Sequence, residues 1–126
     1  MYLLDTNTVI YFFKDMGHVA SRLLNHPPDC IALPTILETG IAKSTQPEKR
    51  RAQLDELLHA IKILPFGLAD AKAAAILRAA LEKAGRPLGP MDNLIAGTAL
   101  AHQATLITHN IEEFSRVPGL RWEDWY

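Results

Sequence analysis

The 126-residue sequence predicts a single α/β domain over residues 1–126, built on a central, mostly parallel sheet of four to five short strands flanked by helices. Three observations lead there. Short apolar runs alternate with helical stretches along the whole chain. The segment from Asp70 to Ala84 carries a clear helical period. The balance of 48% apolar to 21% charged residues belongs to a globular chain, and the length suits one domain with a real core.

Taken in order, Tyr2-Leu3-Leu4 is a buried strand that stops at Asp5-Thr6-Asn7, a cluster with turn and N-cap chemistry. Apolar and aromatic residues follow from Thr8 to Phe13; Gly17 then precedes a helical stretch to about Asn25, and His26-Pro27-Pro28-Asp29 makes a turn. Cys30-Ile31-Ala32-Leu33 reads as a second strand, stopped by Pro34, which can open a helix carrying Ile36, Leu37 and Ile41. Glu48 to Ala60 is a polar helix, and Ile61-Lys62-Ile63-Leu64 a third strand ended by Pro65. From Asp70 to Ala84 the residues Ala73, Ile76, Leu77, Ala80, Leu81 and Ala84 form one stripe, closed by Lys83 and Gly85. Gly89-Pro90 opens another helix to about Gln103; Thr105-Leu106-Ile107-Thr108 is a fourth strand and Leu120-Arg121-Trp122 a fifth.

Composition excludes several classes. A net charge of −1 is not that of a histone-like polycation, and Cys30, the single cysteine, has no partner for a disulfide or a thiolate metal site. None of the five histidines has a partner at zinc-ligand spacing; only His109 falls near the acids discussed next. The start lacks a basic leader and no apolar run is long enough for a membrane span, so a cytoplasmic chain with no membrane partner is expected.

In open parallel sheets ligands bind beyond the carboxyl ends of the strands. Asp5 ends the first strand, Glu38 lies about a turn into the helix after the second, Asp92 is in the first turn of the Pro90 helix, and Asn110 and Glu113 follow the fourth strand. Two carboxylates ~4 Å apart repel by about 4 kcal/mol at an effective dielectric of 20, so such a cluster calls for a cation. An oxygen-only set suits Mg²⁺ or Mn²⁺, ions that serve phosphodiester hydrolysis. Each acid also has a purely structural reading. Asp5 can cap the next helix, Thr35 and Glu38 match a capping box, Asp92 complements a helix dipole, and Glu112 with Glu113 can be a solvated helix start.

The segments Leu3-Leu4-Asp5-Thr6-Asn7, Ile36-Leu37-Glu38-Thr39-Gly40 and Gly89-Pro90-Met91-Asp92-Asn93-Leu94-Ile95-Ala96 resemble the acidic motifs of PIN-domain ribonucleases. The stretch Gly85 to Pro90 and the tail from Thr108 to Trp125 resemble the VapC toxins of bacterial type II toxin–antitoxin systems. The resemblance implies a PIN-like three-layer sandwich and a Mg²⁺-dependent endoribonuclease, Mn²⁺ substituting, that cuts structured RNA such as tRNA or rRNA. By position it makes Asp5, Glu38, Asp92 and Glu113 the catalytic acids, with Asp5 and Asp92 on the metal. Many members carry an Asp where this chain has Asn110. Asn110 still offers a neutral oxygen, and Thr6 and Thr108 match supporting hydroxyl positions whose alternative is ordinary turn and strand-end chemistry. The implied partners are the RNA, a cognate antitoxin covering the acidic crevice, and a second copy in a homodimer or a larger toxin–antitoxin complex.

Setting aside Asp5, Glu38, Asp92 and Glu113 leaves 10 acids against 13 bases, so RNA meets a positive surround. Lys43, Arg50 and Arg86 are the candidate RNA contacts, the alternative for Lys49-Arg50-Arg51 being a solvated helix start. Among the aromatic residues, Trp122, Trp125 and Tyr126 are expected to anchor the terminus in the core, and at least one of Tyr11, Phe12 and Phe13 to face a partner chain. An aspartyl-nucleophile phosphatase is disfavoured because Asn7 stands where that chemistry wants a second acid. A PIN-like module that binds RNA or a partner without cleaving it is the standing alternative, and Asn110 is the residue that sustains it.

Overall fold

The structure is a computed structural model describing residues 1–126. Its elements are β1 (Tyr2–Leu4), α1 (Thr6–Phe13), α2 (Val19–Leu24), a 3₁₀ turn (Pro28–Cys30), β2 (Ile31–Pro34), α3 (Leu37–Ala42), α4 (Pro47–Leu57), β3 (Lys62–Leu64), α5 (Leu68–Lys83), α6 (Pro90–Ala101), β4 (Thr105–Ile107), α7 (Ile111–Phe114) and β5 (Arg121–Glu123). The five strands run in the order β3-β2-β1-β4-β5 and every neighbouring pair is parallel. The sheet is therefore parallel throughout, as the alternation of strand-like and helical segments requires.

Alternation within the strands divides the core into two layers. Leu3, Ala32 and Leu106 point to one face, with Leu77, Leu81, Ile95 and Phe114 from α5, α6 and α7. Leu4, Leu33 and Ile107 point to the other, with Val9, Val19, Leu37, Ile41 and Leu54 from α1 to α4. All six strand residues are completely buried, which requires helices on both sides of the sheet. Burying each leucine contributes about 1.5–3 kcal/mol, so the very short strands are held by their faces more than by their ladders.

Two glycines let helices approach closely. A Cβ at Gly97 in α6 would sit 2.6 Å from the Ala74 Cβ and 2.8 Å from its backbone nitrogen. A Cβ at Gly40 in α3 would sit 2.2 Å from Cγ2 of Thr6, the first residue of α1. The first contact joins α5 to α6; the second sets α3 against the start of α1. At the start of α5, Asp70 Oδ2 accepts from the Gly67 N–H at 2.7 Å, and His102 Nε2 from the end of α6 lies 3.1 Å from Asp70 Oδ1.

Several expectations shift on packing. Pro34 closes β2, paired with Leu64, instead of opening α3, because it lies at the end of the ladder where its missing N–H is tolerated. The Thr35–Glu38 capping box does not form: Thr35 Oγ1 donates to the Leu64 carbonyl at 2.6 Å, and α3 has no side-chain cap. Of the three terminal aromatics only Trp125 is a core anchor, at 1% exposure; Trp122 and Tyr126 are 36% and 38% exposed, since β5 is the edge of the sheet. Tyr11, Phe12 and Phe13 all pack partly against the α1–α4 layer.

Candidate active site

The sheet order places β1 between β2 and β4, so the chain reverses its direction of travel across the sheet at β1 and leaves a crevice beyond its carboxyl end. Asp5 stands there. Its N–H donates to the Ile107 carbonyl at 2.9 Å, which extends the β1–β4 pairing by one residue and fixes the carboxylate over the end of β4. Asp5 also caps α1: Oδ1 accepts from the Thr6 N–H at 2.8 Å. Oδ2 accepts from the Thr108 hydroxyl at 2.9 Å, and Thr108 Oγ1 in turn accepts from the Asn110 N–H at 3.0 Å. The structural and the site readings of Asp5 are thus compatible, one oxygen serving the cap and both remaining at the crevice.

Asp5, Asp92 and Asn110 line one cavity of about 220 Å³, together with Thr6, Asn7 and Met91. The remaining wall is α3, which contributes Ile36, Thr39, Gly40 and Lys43. Burial pushes the Asp5 carboxyl up to about 6; its bonds from Thr108 and Thr6 pull the other way, and the charge of Asp92 adds to the rise. Asp92, in the first turn of α6, is also raised, by burial first and by the charge of Glu113 second. Asp5, Asp92 and Glu113 therefore form an electrostatically linked row. Glu113 reaches Arg116 Nη1 at 3.5 Å, and the same nitrogen donates to the Pro87 carbonyl at 3.3 Å, which ties α7 to the loop before α6. No three Asp, Glu, His or Cys side chains are placed to hold one metal ion together.

Glu38 is not brought to this cavity. It lines a separate one between α3 and α4, where Arg51 donates to both of its carboxylate oxygens and also pairs with Asp55 at 3.0 Å. Sequence reasoning singled out Glu38 by its distance from β2 and by the motif around it, and took Arg51 as part of a basic run without seeing that it pairs with Glu38. The readable signal was helical spacing: Ile36, Thr39, Gly40 and Lys43 are i, i+3, i+4 and i+7, one face that excludes position 38.

The basic candidates separate as well. Lys43 lines the acidic cavity and an adjoining one that also holds Lys14, Thr45 and Arg50. Arg50 is 5% exposed, donates to Gln53 Oε1 at 2.6 Å and has no carboxylate partner. Arg86 lies exposed in the loop before α6 and bonds none of the acids. His109 is turned to the C-terminal tail: Nδ1 is 2.9 Å from Asp124 Oδ2, and the ring stacks on Tyr126 with centroids 4.3 Å apart.

Comparison with known proteins agrees with this fold. The family model described as PIN domain matches residues 2–120. The tRNA(fMet)-specific endonuclease VapC of Shigella flexneri is 38% identical over 128 residues, covering 98% of this chain and 97% of that protein. Ribonuclease VapC2 of Rickettsia felis is 33% identical, covering 99% of this chain and 98% of its own. Among solved structures, VapBC2 from Rickettsia felis bound to a DNA fragment from its promoter matches with a TM-score of 0.88 at 34% identity, over 99% of this chain and 98% of that one.

Proposed function

The chain belongs to the PIN-domain family and within it to the VapC ribonucleases, and from that membership we propose a Mg²⁺-dependent endoribonuclease toxin that hydrolyses structured RNA, tRNA before rRNA. The observation that carries the metal is the pairing of Asp5 and Asp92. Two carboxylates face one crevice, Asp5 is 5% exposed, and burial raises both, with the charge of Asp92 adding to the rise at Asp5 and that of Glu113 to the rise at Asp92. A cation among the acids would offset that cost at neutral pH, and oxygen donors fit Mg²⁺, with Mn²⁺ as substitute.

Asp5 and Asp92 would hold the ion directly and Glu113 would complete the charge, with the Asn110 side chain as a neutral oxygen donor. A divalent ion supplies there the acidification of water and the neutralisation of charge developing on the phosphate. The remaining work belongs to the chain. Thr108 fixes Asp5 Oδ2 by its hydroxyl bond and is itself oriented by the Asn110 N–H. Thr6 holds α3 at the crevice through its contact with Gly40. Lys43 supplies a phosphate contact beside the acids, with the buried Arg50 adding charge behind it; Arg86 is placed to meet more distant backbone. An RNA substrate puts the working location in the cytoplasm.

The similarity to VapBC2 supports a cognate antitoxin; its place over the acidic cavity, and a toxin homodimer within a larger complex, are what the family resemblance implies. Co-expression with a cognate antitoxin should yield a co-purifying complex with no nuclease activity. The direct test incubates the purified chain with total tRNA and Mg²⁺, beside an EDTA control and Asp5→Ala. Metal-dependent fragments ending in a 5′-phosphate and a 3′-hydroxyl, absent with the variant, are expected. A 2′,3′-cyclic phosphate would refute the metal mechanism. Silence on tRNA and rRNA alike, with Mn²⁺ as well, would favour the binding module.

A further inference from the structure

The rotation of α3 decides which of its residues meet the acids. Ile36 already has helical backbone angles, φ −64° and ψ −14°, so the helical period runs from it through Thr39, Gly40 and Lys43 along the cavity wall. Glu38 is two residues from both Ile36 and Gly40, which puts it about 200° round the helix from each. Three contacts fix that rotation. Leu37 and Ile41 are 0% and 2% exposed in the core, Gly40 is seated against Thr6 Cγ2, and the Thr35 hydroxyl binds the Leu64 carbonyl just ahead of the helix. Turning Glu38 inward would bring Leu37 and Ile41 out and drive the Gly40 face away from Thr6. On its own side Glu38 is already engaged, since Arg51 of α4 takes both carboxylate oxygens.

We propose that Glu38 lies outside the metal-ligand set of this chain: the ion is held by Asp5 and Asp92, with Glu113 adding charge from α7, against an α3 wall that carries Ile36 in place of a carboxylate, and Glu38 with Arg51 clamps α3 to α4. The proposal rests on the metal-dependent reading above and departs from what resemblance to the acidic motifs implies for Glu38. A site with fewer charged ligands binds its cation more weakly, and adding a carboxylate to the wall strengthens it.

The test is Mn²⁺ affinity of the purified full chain, read by electron paramagnetic resonance and calorimetry with no RNA present. Glu38→Gln should leave the dissociation constant within about twofold, whereas Asp92→Asn should weaken it at least about tenfold. Ile36→Glu should tighten it by about tenfold or more; Thr39→Asp, one turn along the same face, serves if Ile36→Glu does not fold. Loss of Mn²⁺ on Glu38→Gln to the extent seen with Asp92→Asn would overturn the proposal. A wild-type chain too weak to measure, with binding gained on Ile36→Glu or Thr39→Asp, would support it; no binding in any folded variant would overturn it. Mn²⁺ binding without RNA cleavage would remove the nuclease reading and leave this one standing.

Discussion

At the scale of single residues, Asp5 carries the clearest energetic signature. Its carboxyl ionises near pH 6 in the fold against an ordinary 3.8, chiefly because burial disfavours the charge. Between those values the folded state binds more protons than the unfolded one, so stability falls as pH rises through the window and is lowest above about 6. The cost is at most about 3 kcal/mol, and Asp92 contributes in the same direction. In metal-free buffer the wild-type midpoint of thermal unfolding should rise between pH 7.5 and 5 relative to Asp5→Asn, and Mg²⁺ should raise it at pH 7.5; parallel profiles would refute the buried charge. Thr108→Val removes the hydroxyl that orients Asp5 and receives the Asn110 N–H. It should weaken metal affinity by about 10–100-fold with little change in RNA affinity measured without metal.

At the scale of elements, two close helix approaches differ in what stands in the way. Gly40→Ala would meet mainly the Thr6 Cγ2, a methyl group at 2.2 Å. It should cost about 1–3 kcal/mol by denaturant unfolding, and Thr6→Ser, which deletes that methyl, should recover most of the loss. Gly97→Ala would meet the Ala74 Cα and backbone nitrogen, each at 2.8 Å, as well as its Cβ. It should cost about 3 kcal/mol, and Ala74→Gly should fail to rescue it, because the backbone remains. Rescue in the second pair, or its absence in the first, would contradict these packings. The Gly40 contact also bears on function, since it sets the face α3 turns to the acids.

For the whole molecule, charge is divided by region. The net charge of −1 conceals a row of acids at the crevice and a basic strip beside it formed by Lys14, Lys43 and Arg50. On the proposed function RNA would meet the strip first, and attraction there would offset repulsion from the acids until a cation is bound. Lys43→Ala should weaken binding of unrelated RNAs about equally and lower the slope of log affinity against log salt by about one, because one phosphate contact is lost. A sequence-dependent loss would make Lys43 a base contact instead. The exposed Trp122 and Tyr126 leave the β5 edge open on one side, while Trp125 alone seals the tail into the core.

What the sequence determined by itself was whatever depends on short-range pattern. Unbroken apolar runs at Leu3-Leu4, Ala32-Leu33 and Leu106-Ile107, set between helical stretches, specified a sheet covered on both faces, and the steps from strand to Asp5 and from Pro90 to Asp92 put two acids at one rim. Family motifs added Glu113 and the toxin–antitoxin assignment. Tertiary structure alone decided the side on which Glu38 falls, because a six-residue helix is rotated by what its neighbours bury: Leu37 and Ile41 in the core, Gly40 on Thr6. The same holds for Thr35, whose hydroxyl found the Leu64 carbonyl of an adjacent strand instead of the backbone three residues ahead. Spacing along the chain places a residue on an element; the burial of its neighbours decides which way that residue points.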